Sequence, residues 1–132
     1  MLLAMLERIA ADFYRSWAED SEDPVERDGL RACAAIEEEI AAFAESLEPD
    51  AEGKRKKLSR RFPELREAYA SAFAGRSRRD QLRLQADGES GGVEVLQKLA
   101  AAATGAAAAR YAALALLEES NAVFLRSLLC EK

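Results

Sequence analysis

Large apolar residues in this chain recur at intervals of three and four, and that spacing leaves little except helix for it to form. Leu2, Leu6, Ile9, Phe13 and Trp17 follow one another at four, three, four and four residues, which places them on one stripe of a 3.6-residue helix. Cys33, Ile36, Ile40, Phe43 and Leu47 alternate strictly three and four, a repeat that favours near-parallel helix packing at a shallow crossing angle. Leu58, Phe62, Leu65, Tyr69 and Phe73 form a third such set. Composition points the same way. There are 28 Ala and 17 Leu against 8 Val, Ile and Thr together, a helix former's list and not a sheet's.

Boundary signals divide the pattern. The first helix is expected from about Leu2 to Trp17, followed by the acidic loop Glu19-Asp20-Ser21-Glu22-Asp23. Asp23, Pro24 and Glu26 predict the next start: a capping carboxylate, a proline at the first helical position and an acid three residues after the cap. Pro49-Asp50 ends that helix. Pro63 either sits in the first turn of a third helix capped by Ser59 or kinks a helix that began earlier. Gly75 is its stop. Residues 76–92 read as a long loop because Asp87-Gly88-Glu89-Ser90-Gly91-Gly92 is flexible and polar. The last helix is expected to be the longest, from about Val93 to Leu129. In it Ala101, Gly105 and Ala109 would let a partner helix approach closely. The expected fold is therefore all-α: an antiparallel helical bundle of about four helices with a long C-terminal helix, in a single helical domain spanning 1–132.

At 132 residues and a net charge of −5, the chain suits one domain. No run of eighteen apolar residues predicts a membrane-spanning helix, and the N-terminus lacks the leading positive charge of a signal peptide, so a cytoplasmic protein is expected. Cys33 and Cys130 read as reduced thiols, packed or idle. Charge is segregated: net −11 over residues 1–53, +8 over 54–83 and −2 over 84–132. Such blocks can neutralise each other or present opposed faces to partners.

The chain contains no His, which removes Ser-His-Asp and Cys-His nucleophilic catalysis and His-ligated metals. No nucleophile stands beside a base, so no catalytic residue is assigned and the protein is read as a non-enzyme. Glu37-Glu38-Glu39 and Glu118-Glu119 invite a di-metal reading, but bundles of that kind pair Glu with Glu-x-x-His, and the glutamates fall mostly off the apolar stripes; no metal or cofactor is expected. Asp87–Gly92 lacks the Lys-Ser/Thr of a phosphate-binding loop. Tyr14, Tyr69 and Tyr111 read as amphipathic side chains at helix edges.

Two features could meet a partner. The first is the broad apolar face near the C-terminus: Leu114, Leu117, Asn121, Phe124, Leu125 and Leu128, widened by Leu116, Val123 and Leu129. It is either the centre of a bundle or a surface that docks a helix. Asn121 on that stripe either fixes register or lies at its exposed edge. The second is the basic patch Lys54, Arg55, Lys56, Lys57, Arg60 and Arg61. It could bind phosphate or an acidic partner, or be neutralised within the molecule; nucleic acid is disfavoured because the run holds no interleaved aromatics and the whole chain is acidic.

The Leu-rich start Leu2-Leu3-Ala4-Met5-Leu6-Glu7, the segment Leu114-Ala115-Leu116-Leu117-Glu118-Glu119-Ser120-Asn121 and the amphipathic close Ala122-Val123-Phe124-Leu125-Arg126-Ser127-Leu128-Leu129 resemble the small acidic helical FlgN-like chaperones of flagellar and type III export. That resemblance implies a cytoplasmic protein that shields an amphipathic helix of an export substrate, with contact residues at Leu117, Asn121, Phe124 and Leu128. The functional expectation is a non-enzymatic protein-binding chaperone. The alternative is a structural subunit or homo-oligomeric helical bundle, a homodimer for example, within a larger complex.

Overall fold

The computed structural model describes residues 2–130, and every regular element among them is helical. There are six: α1 (Leu2–Glu19), α2 (Pro24–Ser46), α3 (Ala51–Ser59), α4 (Phe62–Phe73), α5 (Arg78–Ala102) and α6 (Gly105–Leu129). Their contacts divide into two compact units, residues 1–74 and residues 75–132.

In the first unit α1 and α2 form an antiparallel hairpin. Asp23 caps α2 as its sequence predicts, accepting from the Val25 amide at 3.0 Å. Glu26 turns elsewhere and accepts from the Ser21 hydroxyl, while Arg27 grips the Ser21 carbonyl. The hairpin closes on small residues: Ala4, Ala11 and Ala18, spaced by seven, are all fully buried, and Ala4 clusters with Ala41 and Ala44. Alanines at this spacing let two helices approach closely. A cluster of rings gathers where α4 meets α1. Phe13 stacks on Tyr69 at 5.2 Å, and the Trp17 ring meets Phe73 edge-on at 5.4 Å. Such arrangements suit the charge distribution of aromatic rings. Arg66 adds an ion pair to Asp12.

The second unit is the antiparallel hairpin of α5 and α6. Arg126 bonds Ser90 at 2.9 Å, and Arg79 donates to the Leu129 carbonyl. Leu82, Ala86 and Leu96 of α5 are buried, as are Leu114, Ala115, Ala122 and Leu125 of α6.

Three expectations are corrected. Residues 76–92 are not a long loop, because α5 begins at Arg78 and runs through them. Ser77-x-x-Asp80 is the start signal: the Ser77 hydroxyl accepts from the Asp80 amide at 3.1 Å, and the three glycines weaken the helix without ending it. The expected long C-terminal helix is split, because Gly105 takes a left-handed φ of +61° after the break at residues 103–104 and the chain reverses there. The basic run forms its own helix, α3, and Ser59 closes it; α4 then starts at Phe62 with Pro63 in its first turn and no side-chain cap. Gly75 ends α4 at φ +74°, in the left-handed region that favours glycine.

Candidate functional site

The predicted apolar site separates into inner and outer residues on α6. Leu114, Asn121 and Leu125 are buried and face no solvent; Leu117, Phe124 and Leu128 are half-buried. The surface left over lies one step round the helix. Leu116 is 69% exposed and Val123 63% exposed. They lie seven residues apart, on one stripe with the exposed Ala109, Ala112, Ala113 and Ser120. Val25 is more exposed still, but it stands alone between Pro24 and Glu26 in the first turn of α2. The α6 stripe is thus a band of small side chains with two large apolar ones left in water. Asn121 is 1% exposed, which settles it as an interior residue and not one at the rim of the stripe.

All six residues of the predicted basic patch are exposed, brought together by α3 and the turn into α4. Lys54 pairs with Glu48, Arg55 with Glu45 at 3.3 Å and Lys56 with Glu52 at 3.7 Å. Lys57, Arg60 and Arg61 make no ion pair among the described residues. Beside them Arg8 of α1 bridges Glu38 and Glu45 of α2. Its hydrogen bond to Glu45 raises the Arg8 pKa and holds the Glu45 carboxyl below the ordinary range. The bond from Lys54 lowers Glu48 in the same sense.

Sequence reasoning missed the buried glutamates, and Tyr14, expected at a helix edge, is wholly buried. Glu7, Glu37, Glu89 and Glu118 are all at most 7% exposed, one on each long helix. The expectation that glutamates lie off the stripes fails for Glu37 and Glu118, which follow Cys33 and Leu114 by four residues on the buried faces of their helices. Leu30, Cys33, Glu37, Ile40 and Ala44 share the inner face of α2; Leu114, Glu118, Asn121 and Leu125 share that of α6. The three-four register through Cys33 and Leu114 is the signal that finds them. Within the first unit the Glu7 and Glu37 carboxylates come within 4.8 Å of each other. Two buried carboxylates so close can share a proton or hold a cation. Within the second unit Glu89 accepts from the Gln85 amide at 2.7 Å, and the Glu118 carboxylate lies against Gly92, where an added Cβ would stand 2.7 Å from its oxygen.

Comparison with known proteins finds no matching family model, no matching curated protein and no matching solved structure. No helix among the described residues is long and apolar enough to cross a membrane.

Proposed function

We propose that the protein is a non-enzymatic binding protein that takes the apolar face of a partner protein's helix along the outer stripe of α6. The observation that carries this reading is the pair Leu116 and Val123, both well over half exposed at a seven-residue spacing. Each large apolar side chain left in water forgoes about 1.5–3 kcal/mol of burial, so two on one stripe favour a cover. The small neighbours Ala109, Ala112 and Ala113 leave room for a helix to lie close, and the two large side chains supply anchors at the spacing an amphipathic helix reads. Shielding such a helix before export, as the FlgN-like resemblance implies, is the specific form of this role.

The test is the double variant Leu116→Asp/Val123→Asp, made at exposed positions so that the helical circular dichroism should be unchanged. The native complex is purified from the source cells and its partner identified by mass. Loss of that same partner from the folded variant supports the reading; retention overturns it. A stable dimer of the wild-type chain that the variant dissolves into monomers assigns the stripe to self-association instead, as in a structural subunit.

A further inference from the structure

A cavity of about 410 Å³ opens within the first unit, lined by Met5 and Arg8 of α1, Glu45 of α2, Arg55 and Ser59 of α3, and Phe62 at the start of α4. Its size is that of a small-molecule pocket. Its wall has two chemistries. Met5 and Phe62 are half-buried apolar side chains, and a methionine beside an aromatic ring adapts readily to an irregular apolar body. The polar side holds two guanidiniums, Arg8 and Arg55, and the Glu45 carboxylate that both contact. Arg8 is anchored by two carboxylates, Glu38 and Glu45. Arg55 is held by a single 3.3 Å contact to Glu45 and its side chain is 61% exposed. Most of its five N–H donors are therefore open to a ligand. Lys57, Arg60 and Arg61, exposed on the same short segment and without ion pairs among the described residues, add positive charge along α3 and the turn after it.

We propose that this cavity binds an organic anion, a carboxylate or phosphate monoester carried on an apolar body, with the head group on Arg55 and the body against Met5 and Phe62. The assignment is independent of the α6 stripe, which belongs to the other unit. Apolar wall and the exposed, singly paired Arg55 guanidinium together select the ligand. A bare phosphate leaves Met5 and Phe62 uncovered, and an organic cation meets the field of α3 with the wrong sign.

Isothermal titration calorimetry of the full-length protein tests it, with decanoate and decyl phosphate as probes below their micellar concentrations. Saturable binding of one of them at one site per chain is expected, with none of decyltrimethylammonium. Arg55→Gln should weaken that binding about tenfold and leave decanol unaffected, while Phe62→Ala should weaken anion and alcohol alike. Circular dichroism checks that both variants stay helical; Arg55 is exposed, so its variant keeps the test open if Phe62→Ala unfolds. Equal affinity for the cation, or undiminished anion binding by folded Arg55→Gln, overturns the proposal. Co-sedimentation with phosphatidylglycerol vesicles, but not phosphatidylcholine vesicles, without saturable binding of either soluble probe overturns it too and assigns α3 to an anionic surface. Saturable binding of the soluble probes with no vesicle attachment supports a free metabolite as the source.

Discussion

The two units are both helical and both built on antiparallel hairpins, yet they are held by different means. Residues 1–74 combine an alanine seam with a cluster of rings, Phe13, Trp17, Tyr69 and Phe73, and tie α1 to α2 through Arg8 and Arg15. Residues 75–132 have no ring cluster among the described contacts. Their hairpin relies on leucines, small side chains and buried polar groups, with a helix that carries three glycines. The difference teaches that helical patterning alone does not decide how a hairpin is locked. Large side chains lock the first unit by shape; in the second, a glycine makes room for a carboxylate.

The largest expected effect lies in the aromatic cluster. Trp17→Ala should destabilise the first unit by about 3–5 kcal/mol in urea titration, and α4 amides should lose hydrogen-exchange protection with it. A loss below about 1 kcal/mol would break the contrast between the units. Next comes Gly92→Ala, which forces a methyl into the space of the Glu118 carboxylate and, net of the helix gain that alanine brings, should cost about 1 kcal/mol. Adding Glu118→Ala should recover most of that loss, a coupling measurable by a double-mutant cycle; independent, additive effects would remove the carboxylate from the account. Smaller, and of opposite sign, are Gly88→Ala and Gly91→Ala. An added Cβ meets nothing within 4 Å at either position, so each should stabilise by about 0.5–1 kcal/mol, visible as a rise in Tm.

The smallest is Arg8→Gln. Glu45 is held below its ordinary value in the folded state, so the pair contributes stability that is present above the unfolded carboxylate value and lost as pH falls through the folded one. For a partly exposed pair this is about 1 kcal/mol or less at neutral pH. The variant should therefore fall below wild type at pH 7 and converge with it in acid, once Glu45 is protonated in the folded state as well. A gap that persists in acid would mean that Arg8 acts by packing and not by charge.

Much of this was legible in residues. The cap at Asp23, the proline after it and the left-handed stop at Gly75 all lie where local chemistry puts them, because caps and positive φ depend on nearest neighbours. The start of α5 was legible too, in Ser77 and Asp80, but the glycines that follow outweighed it in a reading by composition. Gly105 was misjudged in the other direction: one glycine among many alanines looks tolerable in a helix, and only the packing of α5 on α6 shows that the chain must turn there. The buried glutamates were the least legible. A carboxylate is assigned to solvent by its charge, and its place on an inner stripe emerges only when the register is drawn through Ala, Cys and Asn as well as through Leu and Ile. Of the broad apolar face of α6, Leu114 and Leu125 turn inward, which leaves Leu116 and Val123 as its exposed large residues.

That outer stripe is best tested by contact itself. A photo-crosslinking amino acid placed at position 116 in the cells that make the protein should yield one discrete adduct with a partner chain, and the same group at the exposed Glu67 of α4 should yield none. An absence of adducts at 116, or the same products from both positions, would contradict a docking role for α6.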